Sequence, residues 1–261
     1  MDMPQSGIVY DMSNEEYHRQ VGYSSTAIKT VCKQSLAHYM AQKPLGDSPA
    51  FALGSAVHAT LLEPARDLVT KGPKTRASKL FKDLYNNRED DQVVLTEVEY
   101  YVHHKMCNSA LENPTCNKIL TDSRRVTESS IFVTDKVTGL NLKTRPDLYI
   151  PETGQLFDIK TTIDASPTGF AEQVGKYMYH VQAAFYVLTC RKAGLKAKEF
   201  NFIAVEKTAP YITHLHKVSP ELLKEATEKV EETLAHIAEA NKSGVFDTGW
   251  GDYSTLKVGD F

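Results

Sequence analysis

Apolar residues recur with helical spacing through much of the first 120 residues of the chain. Residues that cap helices, or prolines that begin them, stand before most of these apolar stripes. The pattern predicts helices that begin near Ser13 and cover residues 24–42, 51–64, 97–112 and 113–120. The polar residues 65–92 carry charges of both signs, which predicts a solvated loop with a short helix.

Strand patterns dominate the second half of the chain. Runs rich in β-branched and aromatic residues predict strands at residues 8–10, 93–95, 125–132, 140–150, 155–161, 200–206 and 212–218. Apolar stripes predict a helix after Pro167 and further helices at residues 177–191 and 220–241. The chain therefore contains both helices and strands, and we expect an α/β (α+β) fold.

Two of the predicted strands form a hairpin that carries an unusual set of charges. The turn formers from Pro151 to Gly154 join the strands. Asp158 and Lys160 share one face because side chains alternate along a strand, and Asp147 at the mouth of the hairpin lies close to them. Such a set suits a divalent metal, since Mg²⁺ takes carboxylates, waters and phosphate oxygens. A hairpin with two solvated acids and a lysine is the alternative.

Composition and charge narrow the class of protein. The chain is 41% hydrophobic and 24% charged, as in ordinary globular proteins, and its net charge of -3 excludes a polycation. If it binds nucleic acid, the positive potential must be local or must come from metal ions. No run approaches the ~20 apolar residues of a membrane helix and no signal pattern is present, so we expect a cytoplasmic protein with no membrane partner. The four cysteines form no CxxC pair, which predicts free, mostly buried thiols.

The hairpin resembles the signature of the PD-(D/E)xK nucleases. It is written in this chain as Pro146-Asp147, ten intervening residues, and then Asp158-Ile159-Lys160. Further along, the segment from Gln182 to Tyr186 resembles the QxxxY motif of RecB-, λ-exonuclease- and RecE-type nucleases. A spacing of four places its glutamine and tyrosine on one helix face, and a polar stripe facing water is the alternative. The two motifs together are far more specific than either alone.

Three further segments resemble RecE-type exonucleases in particular. The helix at residues 24–42 carries their Ser-rich pattern, and residues 51–64 resemble a "G.a.H..lLeP" box whose histidine is His58. Without this resemblance, a lone histidine on a helix is an ordinary core or surface residue. Glu128 lies in a strand that resembles an acid-bearing strand of the same nucleases, and it faces either the site or, as strand glutamates usually do, solvent.

The resemblance to RecE-type (exodeoxyribonuclease VIII) exonucleases of the PD-(D/E)xK superfamily implies a fold. It implies a restriction-endonuclease-like core, in which a central mixed β-sheet is flanked by helices. We expect a single nuclease domain over residues 1–261. Its parts are a helical N-terminal elaboration at about 1–120, a catalytic core at about 121–242 and a polar tail at 243–261.

The same resemblance assigns a role to each motif residue. The implied metal ligands are His58, Asp147, Asp158 and the backbone carbonyl of Ile159. The implied catalytic set is Lys160, which acts on the attacking water, with Asp147, Asp158, Gln182, Tyr186 and Glu128. The metal would be Mg²⁺, and Mn²⁺ would substitute for it.

The resemblance also implies the activity and the partners. Such enzymes are typically encoded by prophages and resect double-stranded DNA ends in the 5′ to 3′ direction, which leaves 3′ single-stranded overhangs for recombination and annealing. The partners implied are DNA ends, further copies of the chain in a ring (a tetramer in preference to a trimer) and a single-strand annealing protein of the RecT type.

Two other functions remain open on the sequence. One is an endonuclease of the same fold with a different DNA substrate. The other is a catalytically inactive DNA-binding module, against which the intact Asp147, Asp158 and Lys160 argue.

Overall fold

The computed structural model describes residues 6–42 and 48–251, which contain ten strands and ten helices. The strands are β1 (Gly7–Val9), β2 (Val69–Lys71), β3 (Val93–Leu95), β4 (Val126–Thr127), β5 (Ser130–Thr134), β6 (Asn141–Thr144), β7 (Leu148–Ile150), β8 (Gln155–Thr162), β9 (Glu199–Glu206) and β10 (Thr213–Lys217). The helices are α1 (Asn14–Arg19), α2 (Ser25–Lys33), α3 (Leu36–Ala41), α4 (Pro49–Leu62), α5 (Lys79–Asn86), α6 (Glu97–Glu112), α7 (Pro114–Leu120), α8 (Pro167–Lys176), α9 (Tyr179–Lys192) and α10 (Pro220–Ser243). Within the described ranges, none of these helices combines the length and apolar character needed to cross a membrane.

A five-stranded mixed sheet forms the centre of the molecule. Its spatial order is β10-β9-β8-β7-β4, with β8 parallel to β9 and the other neighbours antiparallel. An antiparallel sheet of order β1-β5-β6 and a short parallel pair of β2 and β3 accompany it. The predicted fold class, a mixed sheet with flanking helices, is confirmed.

Apolar side chains on the two faces of the central sheet form two cores. Leu156 of β8 packs with α2, α9 and α10, whereas Phe157 and Ile159 pack on the opposite face with α4, α6 and α7. The predicted alternation along β8 is therefore confirmed, and it leaves Asp158 and Lys160 on the face towards α9. The cysteines are free and three of the four are buried in these cores, as predicted.

The predicted helix over residues 24–42 is wrong in its continuity, because two helices cover this segment. Helix α2 ends at Lys33, and the side chain of Ser35 accepts a hydrogen bond from the backbone of His38, which caps α3. A serine that caps a new helix competes with continuation of the old one.

The two long strands predicted at residues 125–132 and 140–150 are also wrong in their continuity. Each divides between the two sheets: β4 and β7 pair in the central sheet, while β5 and β6 pair in the smaller one. Glu128 stands at the first break with φ 49°, a left-handed conformation that turns the chain out of the sheet. Pro146 stands at the second break and lacks the N–H that a sheet ladder needs.

The polar segment 65–92 contains the predicted short helix, α5, but also a strand that the sequence pattern did not indicate. Strand β2 pairs with β3 beside this helix. The predicted tail is described only to residue 251, and its remainder lies outside the described residues.

Candidate active site

The predicted site residues come from five separate parts of the chain and meet along one cavity of about 1500 Å³. Helix α4 contributes a histidine, the break after β4 a glutamate, the residue before β7 an aspartate, β8 the acid–lysine pair, and α9 the glutamine and tyrosine. The cavity is lined by all eight of them: His58, Glu128, Asp147, Asp158, Ile159, Lys160, Gln182 and Tyr186.

Asp158 is the centre of a buried polar network. Its carboxylate lies 2.5 Å from the ammonium group of Lys160 and accepts a hydrogen bond of 2.6 Å from the side-chain amide of Gln182. Only 3% of the Asp158 side chain is exposed, so both contacts act in a medium of low dielectric constant. Burial alone lowers the pKa of Lys160, but the adjoining Asp158 and Asp147 outweigh it and raise that pKa above its usual value. Lys160 is therefore an ammonium group at neutral pH.

A second group of polar side chains adjoins this network. One carboxylate oxygen of Asp147 accepts a hydrogen bond of 2.6 Å from the backbone N–H of Ile159 and lies 3.4 Å from His58 Nδ1. The other ring nitrogen of His58 lies 2.7 Å from the backbone carbonyl oxygen of Ile159. Glu128 completes the group, which places ligand atoms of His58, Glu128 and Asp147 within 4.8 Å of one another.

The two carboxyl groups of this cluster have strongly raised pKa values. Burial, together with the neighbouring Asp158, raises the pKa of Asp147 to about 6. Burial and the charge of Asp147 raise the pKa of Glu128 to about 7, although Arg145 pairs with Glu128 at 3.0 Å. Neighbouring negative charges in a buried site disfavour ionisation, and a cation between them would reverse this.

The residues of the cluster fit a divalent metal ion. An imidazole nitrogen, two carboxylates and a nearby backbone carbonyl are ligands that suit Mg²⁺ or Mn²⁺. His58, Glu128 and Asp147 would hold the ion, and the Ile159 carbonyl adjoins them. Asp158 is not part of this three-residue cluster, and its carboxylate contacts Lys160 and Gln182 instead. Its role as a metal ligand stays a prediction.

Tyr186 lies one helical turn beyond Gln182, on the face of α9 that lines the cavity. Its hydroxyl group lies near Ser25 of α2, and its ring packs edge-on against Phe200 at 5.8 Å. Burial raises the pKa of this hydroxyl group well above its usual value, so Tyr186 remains a phenol. The Ser-rich pattern and the QxxxY motif thus meet through this contact.

Sequence reasoning missed Lys29 as a residue of this site. Its ammonium group donates a hydrogen bond of 3.4 Å to the side-chain carbonyl of Gln182. Burial and the neighbouring ammonium of Lys160 lower the pKa of Lys29 to about 8. The only signal in the sequence is its position within the Ser-rich pattern, because a lysine on an amphipathic helix normally faces solvent.

Sequence reasoning also missed Arg145 and Lys143. Both anchor residues 12–20, a segment that lines part of the cavity. Arg145 donates to the backbone carbonyls of Met12 and Ser13, at 2.7 Å and 3.2 Å, while it pairs with Glu128. Lys143 donates to three carbonyls at the end of α1. The pattern of alternating residues showed strands here but not the partners of their basic side chains.

The mixed sheet and the acid–lysine hairpin define a protein of the PD-(D/E)xK superfamily, and the predicted membership is confirmed. The chain belongs to the family described as the PDDEXK-like domain of unknown function (DUF3799), whose profile matches residues 24–252. No curated protein sequence matches it.

One solved structure that is similar over nearly its whole length shares this fold. A candidate exonuclease from Eubacterium rectale is similar with a TM-score of 0.65 at 17% sequence identity, over 95% of this chain and 96% of that one. At this identity the likeness shows the fold alone. A phage-related exonuclease from Haemophilus somnus 129PT is similar with a TM-score of 0.36 at 10% identity, over 86% of this chain and 97% of that one. A TM-score this low does not establish a common fold.

Proposed function

We propose that this chain is a divalent-metal-dependent nuclease that hydrolyses DNA phosphodiester bonds. The observation that carries the proposal is the junction of two clusters in one cavity. The network of Asp158, Lys160 and Gln182 directly adjoins the potential metal ligands around Asp147. A buried arrangement of this kind is costly to fold, and raised pKa values in a cleft are typical of functional sites.

The chain's own residues divide the chemistry between them. A divalent ion, when bound, supplies positive charge to the phosphate oxygens and acidifies water. Lys160 is held by Asp158 and stays protonated, so it orients the attacking water or a phosphate oxygen by donating hydrogen bonds. Gln182 keeps the Asp158 carboxylate in place through its amide N–H. The attacking water forms the new phosphorus–oxygen bond, the bond to the leaving oxygen breaks on the opposite side, and that oxygen takes up the proton that the water loses.

We further propose that the substrate is a double-stranded DNA end, resected in the 5′ to 3′ direction with Mg²⁺, for recombination. The motifs in RecE order support this, as does the likeness of the fold to the candidate exonuclease from Eubacterium rectale. The same resemblance supports a ring-shaped oligomer and a RecT-type annealing partner.

The test is a time course of digestion on linear duplexes labelled at either the 5′ or the 3′ end, beside a covalently closed circle. We expect Mg²⁺-dependent release of labelled nucleotides from the 5′ end first, retention of the opposite strand and no cutting of the circle. Cleavage of the circle would assign the protein to the endonucleases instead. No cleavage of any substrate with Mg²⁺ or Mn²⁺ would overturn the nuclease proposal.

A further inference from the structure

A strip of aromatic and basic side chains leads away from Lys160 to the protein surface. Tyr179, at its inner end, lines the cavity, and Tyr177, at its outer end, has 45% of its surface exposed. We name this the tyrosine–lysine strip. It consists of Lys29, Lys33, Lys160, Lys176, Tyr177 and Tyr179.

The two tyrosine rings are stacked, with centroids 5.6 Å apart and an angle of 27° between their planes. Met178, which joins them, has φ 56° and ψ 40°, a left-handed conformation that ends α8 and begins α9. Such a backbone conformation is unfavourable for a residue other than glycine and is often found at functional sites. Here the abrupt junction of two helices sets the two rings side by side.

Ammonium groups line both rings. The Nζ atoms of Lys160 and Lys29 lie 4.8 Å and 5.9 Å from the centroid of Tyr179. The Nζ atom of Lys176 lies 5.5 Å from the centroid of Tyr177. Such positions favour a cation through the ring quadrupole.

These positive charges are not neutralised along most of the strip. The Nζ atom of Lys33 donates to the backbone carbonyl of Lys176 at 3.1 Å, which ties α2 to the end of α8. Within residues 6–42 and 48–251, no ion pair with a carboxylate involves Lys29, Lys33 or Lys176. The strip is therefore a local concentration of positive charge on a chain whose net charge is -3.

We propose that the tyrosine–lysine strip binds a single strand of nucleic acid next to the bond that is cleaved. An exposed aromatic ring offers a stacking surface to an unpaired base, and the adjacent ammonium groups pair with its phosphates; this combination is typical of single-strand binding. Inside a duplex both faces of each base are covered by the neighbouring base pairs, so only an unpaired strand offers free base faces along the strip. The inference rests on the proposed nuclease function, because it assigns one part of the same substrate to a surface.

The first test compares Tyr177→Ala with a matched control. Tyr101 on α6 is 59% exposed, and Lys105 Nζ lies 5.3 Å from its ring centroid, so Tyr101→Ala removes a similar tyrosine from a surface outside the cavity. Binding of a fluorescein-labelled oligothymidylate is measured by anisotropy in EDTA, and KM is measured with Mg²⁺. We expect Tyr177→Ala to raise Kd and KM by about 5- to 10-fold, the low end for one base–aromatic stack, while Tyr177→Phe restores them.

The second test addresses the charges. Lys176→Ala should lower the dependence of log Kd on log salt by about 0.7, as for one phosphate contact of a single strand. Equal Kd values for Tyr177→Ala and Tyr101→Ala would overturn the proposed role of the strip, even if the wild type digests DNA. So would a wild-type protein that does not bind the oligothymidylate. Weaker binding by Tyr177→Ala, together with no cleavage by the wild type, would support single-strand binding by the strip and contradict the proposed nuclease function.

Discussion

Asp158 is almost fully buried, and its negative charge is compensated by one ammonium group and one amide. A buried carboxylate that loses such a partner retains its desolvation penalty without the compensating contact. Lys29 in turn fixes the amide of Gln182 by binding its carbonyl oxygen. The glutamine of the QxxxY motif therefore has a role within the folded protein before any substrate arrives.

We expect Gln182→Ala to lower both turnover and stability. Without the amide, the Asp158 carboxylate and the Lys160 that it holds lose their fixed orientation. Nucleotide release should therefore fall ~10- to 100-fold, the usual cost of losing a hydrogen bond that orients a site residue. The free energy of unfolding should fall by ~1–3 kcal/mol, because a buried acceptor loses its donor. The measurements are initial rates of Mg²⁺-dependent nucleotide release and denaturant unfolding curves.

Gln155→Ala is the matched control, since Gln155 also donates to a carboxylate, that of Glu199, but at the start of β8 and away from the cavity. It should keep wild-type turnover. Wild-type turnover in Gln182→Ala would show that the QxxxY match has no functional meaning here.

The raised pKa values of Asp147 and Glu128 predict how stability depends on pH. Their folded pKa values are about 6 and about 7, against ordinary values of 3.8 and 4.5. The folded state therefore binds more protons than the unfolded state in this window, so the free energy of unfolding falls as pH rises from about 4 to about 7. Above that window the loss is complete.

The measurement is Tm against pH in EDTA for the wild type and Glu128→Gln. The part of the decline in Tm that Glu128 causes should disappear in the variant. The two Tm curves should therefore meet at low pH and separate as pH rises, with the variant gaining stability relative to the wild type up to pH 8. Added Mg²⁺ should raise the wild-type Tm at pH 8, because an ion bound only to the folded state stabilises it. Parallel curves for both proteins would contradict the assignment.

At the scale of elements, the hairpin of β7 and β8 could be predicted because turn formers separate two strands of clear alternation. Helices α6 and α7 followed from their capping residues. The division of two long strands between sheets could not be predicted, because it depends on the left-handed Glu128. Lys29 remained hidden for a related reason: a pattern gives the face of a helix but not what covers it.

Lys143 gives a prediction for the cavity wall. It is buried on β6 and donates to the carbonyls of Tyr17, His18 and Gln20 at the end of α1. Lys143→Met keeps the apolar stem but leaves these acceptors without a donor, at a cost of ~1–3 kcal/mol. Tm should fall and hydrogen exchange in residues 14–20 should rise, whereas the exposed Lys136→Met should change neither. Unchanged exchange in Lys143→Met would show that α1 is held by other contacts.

At the scale of the whole molecule, the net charge of -3 gives a single copy no general attraction for DNA. A closed ring would retain a DNA substrate by enclosing it, and closed symmetric assemblies are the common oligomers. We therefore expect a ring, and the resemblance to RecE-type exonucleases favours a tetramer in preference to a trimer. Light scattering at micromolar concentration, with and without duplex DNA, measures this, and a monomer under both conditions would count against the ring.

The central claim is that hydrolysis depends on the cluster around Asp147, Asp158 and Lys160, and one measurement tests it most directly. This is the initial rate of nucleotide release from a linear duplex in Mg²⁺, for the wild type and for Lys160→Met at equal folded concentration, with EDTA as the blank. We predict release by the wild type that EDTA abolishes, and a rate ~10²- to 10³-fold lower in the variant, the usual cost of losing one hydrogen-bond donor to the reacting oxygens. No release by the wild type, or an equal rate in a folded Lys160→Met protein, would contradict the account.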